Sequence, residues 1–296
     1  MTTTAPEPTV GGSPLGITPV RRAPKGLRAD LRAVKIVTHR ELLRAGSDRG
    51  RLLTGLIQPF LFLFVLGAGL NSVVSAGIPG VDFQTFLFPG VLCTSVLFTG
   101  VFAGVSIVWD REFGFLREML VAPVGTTAIM TGKCLGGATV ATLQSLVILA
   151  LAGLVDVPYN LVMMLELVVL LFLMAFMICA LGLVLAARVK QIQSAMPLVQ
   201  LTITPLMFLS GALFPLSNLP AWLKVVTTLN PMTYAVESIR SVVFDRLDLA
   251  PAVRATFDPG ITWGGWPVPT AVEVAVVVVT CLVLLGLAVA RFARTE

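Results

Sequence analysis

Charged side chains are scarce in this chain. Lys, Arg, Asp and Glu make up 12% of the 296 residues, whereas hydrophobic residues make up 56%. A soluble domain carries about 25% charged residues. Lipid is therefore predicted to be the solvent for much of the chain. The basic residues cluster beside hydrophobic runs, so the net charge of +5 indicates membrane contact and not nucleic-acid binding.

Residues for catalysis and metal binding are equally few. His39 is the only histidine, and the motifs G-x-S-x-G and H-E-x-x-H are absent, which argues against an enzyme with these nucleophile or zinc sites. The four cysteines form no C-x-x-C pair, which favours buried packing over a zinc or redox motif. They are Cys93, Cys134, Cys179 and Cys281. We predict no catalytic residue, no bound metal and no cofactor for this chain.

A nucleotide-binding loop is also missing. Gly132-Lys133-Cys134 looks like the end of such a loop, but the motif needs Ser or Thr after the Lys and a second Gly five places before Gly132. Cys134 and Thr127 occupy those two positions. If ATP drives this protein, ATP and Mg²⁺ are bound by another polypeptide, so the chain by itself is not predicted to be an enzyme.

Long hydrophobic runs are what the sequence does contain. Each is near the roughly 20 residues that a helix needs to cross the bilayer, and helices are required because lipid offers no partner for unpaired backbone groups. We predict an all-α membrane protein with six transmembrane helices, the fifth kinked by Pro197 and Pro205. The predicted spans cover about residues 52–70, 86–108, 134–155, 161–186, 195–214 and 271–290.

The basic residues predict the orientation. All but four of the 21 Lys and Arg residues fall on the side of the two chain ends, which the positive-inside rule assigns to the cytoplasm. The exceptions are Lys224, Arg240, Arg246 and Arg254, in a connection so long that the rule has little force. We predict a multi-pass protein of the plasma (cytoplasmic) membrane, with both termini cytoplasmic.

The segments outside the spans differ in character. Residues 1–26 hold seven Pro or Gly between positions 6 and 19 and are predicted to be a disordered cytoplasmic tail. Residues 27–51 alternate apolar and basic positions at helical spacing, which predicts an amphipathic helix in the membrane interface. Residues 291–296 form a short cytoplasmic tail. The apolar positions of the helix are Leu27, Leu31, Val34, Val37 and Leu42, and the basic ones are Arg28, Arg32, Lys35, Arg40 and Arg44.

The connection at 215–270 is predicted to be partly helical. Ala221 to Leu229 is too short to span, and Thr233 to Phe244 could form a second short helix in which Glu237 and Arg240 pair. Trp222, Trp263 and Trp266 suit a membrane interface. We expect short re-entrant helices that enter the outer leaflet and return; a folded extracellular cap is the alternative.

Acidic residues within spans would suggest proton coupling. Only Glu166 and Glu273 qualify, and both lie near predicted outer span ends, where solvation at the interface is expected.

The segment from Trp109 to Val124, WDREFGFLREMLVAPV, is the most informative stretch on the cytoplasmic side. Its apolar residues can share one face of a short helix that Pro123 would end. A soluble partner could grip such a helix. A helix lying on the lipid surface is the alternative. The apolar face comprises Trp109, Phe113, Leu116 and Leu120, and the charges are Asp110, Arg111, Glu112, Arg117 and Glu118.

Two segments give the chain its resemblance to a known family. The first is Asp110-Arg111-Glu112 followed by Gly114-Phe115-Leu116, Glu118-Met119-Leu120 and Pro123. The second runs from Ile203 to Arg240, with Ser210-Gly211-Ala212, Leu219-Pro220, Asn230-Pro231-Met232-Thr233-Tyr234 and Arg240. Over about residues 30–292 the chain resembles the ABC-2 type permeases, most closely the daunorubicin-exporter-like, drug-resistance branch.

The resemblance implies a dimer of permease subunits, identical or related, over two separate ABC ATPase subunits. It implies that the segment after the second span couples to the ATPase, and it places a second group of residues in the outer re-entrant region. The coupling residues would be Trp109, Asp110, Arg111, Glu112, Phe113, Phe115, Leu116, Arg117 and Glu118. The outer residues would be Gly211, Pro220, Asn230, Pro231, Tyr234, Glu237 and Arg240.

These observations together predict the permease subunit of an ATP-driven exporter of an amphipathic drug-like or lipid-like molecule. Export of a lipid or polysaccharide by the same machinery is an alternative, and an ion-coupled secondary transporter is another. The lack of mid-membrane charge and of an evident repeat argues against the second alternative. Apolar residues of spans two and five could line the pathway: Phe86, Leu97, Phe98, Phe102, Met207 and Phe208.

Overall fold

A computed structural model describes residues 26–75, 83–116, 119, 124–216, 220–247, 260–263 and 265–293. The described part is almost entirely helical, and five of its helical segments are long and apolar enough to cross a membrane. Those five are Leu52–Asn71, Phe83–Glu112, Thr126–Leu149, Leu161–Ala186 and Thr270–Phe292. The prediction of an all-helical, multi-pass chain is confirmed at this level. The predicted tail at 1–26, apart from Gly26, lies outside the described residues.

The helices follow the chain in this order. The first half holds α1 (Leu27–Ser47), α2 (Arg49–Phe60), a π-helical stretch (Leu61–Leu66), α3 (Gly67–Ser75), α4 (Phe83–Val105) and α5 (Ile107–Glu112). The second half holds α6 (Thr126–Leu149), a 3₁₀ turn (Ala152–Val155), α7 (Leu161–Ala186), α8 (Ile192–Phe208), α9 (Ala221–Leu229), α10 (Pro231–Phe244) and α11 (Thr270–Phe292). A two-residue hairpin, Thr262–Trp263 with Trp266–Pro267, lies between α10 and α11.

Helix α4 is the centre of the bundle. It packs on α6 and α7, and α7 packs in turn on α6 and α11. Nearly every side chain of α4 is buried, polar Thr94 and Ser95 included. The first span and α11 are mostly uncovered by the rest of the chain. Their exposed apolar surfaces are available to lipid or to another subunit.

Two span boundaries differ from the prediction. The third span begins at Thr126 and not near Cys134, because Lys133, which resembled a loop residue, is buried in an ion pair inside the helix. The fifth ends at Phe208, six residues before the predicted end, because the chain turns through Gly211, whose φ is +74°. With 17 residues, α8 is shorter than the five long segments, and its crossing of the membrane stays a prediction.

Helix α1 lies along the first half of α6. Ala33, Val37 and Glu41 face α6 and are buried, and the Thr38 hydroxyl donates to the Gly132 carbonyl at 3.1 Å. Leu27 is exposed, so the predicted apolar face is only partly covered. The interfacial position of α1 stays a prediction.

The outer connection contains the two predicted short helices. Helix α9 has the predicted bounds, and α10 begins two residues early, at Pro231. The Asn230 side chain accepts from the Met232 amide at 3.0 Å, and Pro231 takes the first helical position, where its missing N–H is not needed. Helix α10 packs on α11, α7 and α4, so it is part of the bundle.

Candidate functional site

A group of charged side chains lies where α1, α5 and α6 meet. Asp110 Oδ1 accepts from Nη2 of Arg40 at 2.6 Å and from Nη1 of Arg44 at 3.4 Å. Asp110 Oδ2 lies 2.7 Å from Nζ of Lys133. Lys133 Nζ also donates to Glu41 Oε1 at 2.8 Å. These five residues are called the ion-pair cluster below.

The interior of the ion-pair cluster is dry. Asp110 is 2% exposed and Lys133 is 1% exposed. Buried charges are stable only when they are paired and hydrogen-bonded, so the cluster holds α5 against α1 and α6. Asp110 faces the bundle, and any role in binding an ATPase is therefore indirect, through the position of α5.

Arg111 connects α5 to two further helices. Its Nη1 donates to the carbonyls of Ala186, at 3.2 Å, and Val189, at 2.6 Å. The last carbonyls of a helix have no partner within it and carry partial negative charge. The guanidinium also lies 5.2 Å from the ring centroid of Phe292 in α11, a cation–π distance. Arg111 thus joins α5 to the ends of α7 and α11.

Glu112 connects α5 to α8. Its Oε2 accepts from the backbone N–H of Ile192, the first residue of α8, at 3.1 Å. A carboxylate is favourable at a helix N-terminus, where backbone N–H groups are unpaired and the helix dipole is positive. The consecutive residues Asp110, Arg111 and Glu112 therefore contact α1 and α6, α7 and α11, and α8 respectively.

The predicted continuous helix over 109–123 is interrupted. Helix α5 ends at Glu112, and Gly114 has a φ of +83°, a left-handed conformation that glycine adopts without steric cost. Phe115, Leu116 and Met119 are helical again. Arg117, Glu118, Leu120 and Pro123 lie outside the described residues.

The interruption separates exposed from buried side chains. Phe113 and Phe115 are 67% and 51% exposed, on either side of Gly114. Leu116 is buried and Trp109 is half-buried, so these two do not share a free apolar face with Phe113 as predicted. Phe113, Gly114 and Phe115 are called the aromatic tip below.

The residues of the outer signature come together around Arg240. Its side chain is fully buried. Nη2 donates to the Gly211 carbonyl at 2.6 Å, and Nη1 donates to Glu237 Oε2 at 3.3 Å, which confirms the predicted pairing. The guanidinium also stacks 4.8 Å from the ring centroid of Phe86. Arg240 therefore ties α10 to α4 and to the turn after α8.

The other signature residues hold the same turn. Asn230 Nδ2 donates to the Leu206 carbonyl near the end of α8 at 3.1 Å. The Tyr234 hydroxyl donates to the Thr228 carbonyl at 2.8 Å and accepts from Trp263 Nε1 at 3.0 Å. Pro220 immediately precedes α9. The sequence signature is thus a set of contacts that fixes α8, α9, α10 and the hairpin to one another.

Glu273 differs from its prediction. It was expected to be solvated at the interface, but it is 2% exposed and accepts from the Ser238 hydroxyl at 3.1 Å. The neighbouring helix α10 covers it. Glu166 keeps a 45% exposed side chain, 3.8 Å from Arg246.

The predicted pathway residues do not form one wall. Phe86, Leu97 and Met207 are buried within the chain, and Phe208 is 48% exposed. Only Phe98 and Phe102 line a sizeable cavity, of about 400 Å³. The other residues around this cavity are Thr54, Gly55, Gln58, Thr99, Trp109, Gln144 and Met196.

Sequence reasoning missed several residues of these sites. Lys133 was treated as a loop charge, although its place in a glycine-rich helical stretch was a signal that it could be buried. Glu41 and Gln144 had no distinguishing motif. Their roles depend on which helices lie beside them, which is a tertiary property.

Comparison with known proteins places these features in a family. The family described as ABC-2 type transporter matches residues 32–244, which include the ion-pair cluster, the aromatic tip and the outer signature. Residues 32–244 exclude most of the hairpin region and α11.

Curated relatives agree with this match. The chain is 27% identical over 218 residues to a putative transport permease, ycf38, of Porphyra purpurea, covering 72% of this chain and 74% of that protein. It is 28% identical over 191 residues to nodulation protein J of Rhizobium leguminosarum bv. viciae, with 64% and 73% covered. It is 26% identical over 168 residues to the probable multidrug ABC transporter permease YbhR of Escherichia coli, with 55% and 45% covered.

Proposed function

Since the chain belongs to the ABC-2 type transporter family, we propose that it forms the pathway of an exporter that moves an amphipathic drug-like or lipid-like molecule out of the cell. Family membership makes the chain the membrane subunit of an ABC transporter and implies association with an ABC ATPase subunit. The proposal adds the direction, the substrate class, the plasma-membrane location, two ATPase copies and a second permease subunit, identical or related.

The observation that carries the coupling part of the proposal is the contrast between α5 and the aromatic tip. Asp110, Arg111 and Glu112 contact five other helices, whereas Phe113 and Phe115 project beyond them. Exposed aromatic residues on a rigid base suit the groove of a soluble partner, because aromatic side chains supply large contact area with little loss of conformational freedom. We assign the aromatic tip as the ATPase contact.

This arrangement suggests how force from the ATPase reaches the spans. ATP-driven closure of two ATPase subunits would displace the aromatic tip, and α5 would transmit the displacement to α6, α7, α8 and α11 through its three charged residues. The spans would then open outward as a unit. Only a substrate with different affinity for the two states is moved in one direction by such a cycle.

The substrate part of the proposal is supported by the apolar character of the bundle and by one relative that is named a multidrug permease. The cavity that contains Phe98 and Phe102 is mostly apolar, with hydroxyl and amide groups at its edge. Such a lining suits an amphipathic molecule better than a sugar polymer, because a polymer needs hydrogen-bond partners along its length.

A pull-down tests the coupling assignment. The tagged chain is purified from native membranes in mild detergent, and co-purified ATPase is measured by mass spectrometry for the wild type and for a Phe113→Ala, Phe115→Ala variant. Loss of two exposed aromatic contacts at an interface is expected to lower recovery about tenfold or more. The Trp222→Ala, Leu229→Ala variant is the matched control, because both residues are exposed apolar side chains on α9.

Each result has a distinct meaning. Loss of the ATPase in the Phe113, Phe115 variant alone supports the proposal. Equal recovery from all three proteins would move the contact away from the aromatic tip. Absence of any ATPase from well-folded wild type would contradict the ATP-driven function and favour an ion-coupled transporter.

A further inference from the structure

The cavity beside α2 combines apolar walls with a concentrated polar edge. Phe98, Phe102 and Trp109 of α4 and α5 form one side, and Met196 of α8 contributes an apolar group opposite. Among the described residues that line it, none is charged. Its volume of about 400 Å³ falls within the range of small-molecule sites, roughly 300–1,000 Å³. The size and lining suit a small, largely apolar molecule.

Gln144 provides an oriented donor at this cavity. The residue is 6% exposed, and the Thr99 hydroxyl donates to its Oε1 at 3.0 Å, which fixes the amide plane. Its Nε2 is buried and has no hydrogen-bond partner. A buried amide N–H without a partner is unfavourable, so an acceptor from a ligand would satisfy a group that the chain leaves open.

The first span leaves room for this amide. A Cβ atom at Gly55 would stand 2.4 Å from Gln144 Nε2, so only glycine allows the amide to approach α2 this closely. Thr54 and Gly55 are exposed, and the cavity is therefore open on the side of the first span. A molecule in the surrounding membrane can reach the amide without passing through the packed centre of the bundle.

We propose that this cavity is a binding site for an uncharged amphipathic molecule, whose hydrogen-bond acceptor contacts Gln144 Nε2 and whose apolar part packs on Phe98 and Phe102. The absence of charge from the described lining disfavours an ionised group, because a buried charge without a partner is strongly unfavourable. If the molecule is the exported substrate, that role rests on the proposed function; the binding itself does not.

Trp109 gives a direct readout of binding. The chain has four tryptophans, and a Trp222→Phe, Trp263→Phe, Trp266→Phe background leaves Trp109 as the only one. The probes are a monoacylglycerol with a brominated acyl chain, which is neutral, and the fatty acid with the same brominated chain, which is an anion at pH 8. Bromine quenches a nearby indole, so both probes report contact with the cavity through the fluorescence of the purified chain in detergent.

The expected result is saturable quenching by the neutral probe, with at least tenfold weaker binding of the anion. Gln144→Leu keeps the apolar volume but removes the donor, so it should weaken the neutral probe about tenfold. Gln200→Leu is the matched control, since Gln200 is an exposed amide on α8 and should not change binding. Gly55→Ala should also weaken the probe, by displacing the amide.

Three outcomes would overturn the inference: quenching that does not saturate, equal affinity for both probes, or an unchanged affinity in well-folded Gln144→Leu. If Gln144→Leu does not fold, Gly55→Ala decides the role of the amide, and unchanged affinity there also overturns it. Saturable, amide-dependent binding by a chain that recovers no ATPase would retain this site and reject the exporter function. ATPase recovery without such binding would do the reverse.

Discussion

At the scale of single residues, the conserved-looking triplet Asp110-Arg111-Glu112 is notable for how little of it faces water. Each side chain satisfies a different group: a buried lysine and two arginines, two helix-end carbonyls, and one helix-start amide. Replacement of any one leaves a charge or backbone group without its partner, which is costly in a buried site. The charges position α5, and the aromatic residues after them are free for contact.

Gly90 shows how a residue without a side chain can be essential. A Cβ atom there would overlap the Ala212 carbonyl oxygen, at a distance of 1.7 Å, and backbone cannot move aside as a flexible side chain can. Gly90→Ala is therefore expected to lower the free energy of unfolding by about 2 kcal/mol or more. Thermal unfolding in detergent, followed by circular dichroism, measures this effect.

Gly286→Ala is the control for Gly90→Ala. Gly286 lies inside α11 and a Cβ atom there meets nothing within 4 Å, so its replacement should be neutral or slightly stabilising. Equal stability of the two variants would show that α4 and the turn after α8 do not approach as closely as described.

At the scale of elements, helix ends are where the protein connects its parts. Arg111 and Glu112 contact the C-terminal end of α7 and the start of α8, while Asn230 caps α10 and also contacts α8. Helix termini have unpaired backbone groups, so they offer strong contacts that do not require a particular side chain in return. Both signature segments of the sequence use this property.

Arg111→Met tests whether the contact with α7 and α11 transmits the ATPase movement. Methionine keeps much of the volume beside Phe292 but cannot donate to the carbonyls of Ala186 and Val189. We expect the purified complex to retain its ATPase, because the aromatic tip is unchanged, but transport per ATP hydrolysed in proteoliposomes should fall severalfold.

Arg188→Met is the control, since Arg188 is an exposed cation in the same loop as Val189. It should leave the ratio of transport to hydrolysis unchanged. An Arg111→Met complex with the wild-type ratio would mean that force reaches the spans by another route.

At the scale of the whole molecule, the open question is the number of crossings. Five segments are long enough to span, and α8 has 17 residues, or roughly 25 Å at 1.5 Å per residue, against about 30 Å of hydrocarbon. The turn from Leu209 to Gly211 continues from its end. We expect α8 to cross, which makes six crossings and places both chain ends on the same side.

Cysteine labelling distinguishes five crossings from six. Arg188 precedes α8 and Lys224 follows it, and both are exposed, while the native cysteines are all buried and should remain unlabelled. In intact cells, a membrane-impermeant maleimide should label Lys224→Cys directly and Arg188→Cys only after permeabilisation. Labelling of both from the same side would mean that α8 does not cross.

Much of the fold could be predicted from the sequence. Hydrophobic length predicted the membrane class and the bounds of α7 almost to the residue, because a helix with no charge for 26 residues has one stable environment. The short outer helices and the pairing of Glu237 with Arg240 followed from local spacing. The burial of the four cysteines followed from their apolar surroundings.

The tertiary structure decided what the charged and polar residues do. Local sequence predicted that Lys133, Asp110 and Glu273 would be near water, but each is buried because another helix brings it a partner. Likewise, Gln144 became a donor at a cavity because Gly55 and Thr99 lie beside it. Burial of apolar residues depends on the average property of a segment, which the sequence states directly. The free energy of a buried polar group depends on one partner at one distance, and residues far apart in sequence supply that partner only when the chain is folded.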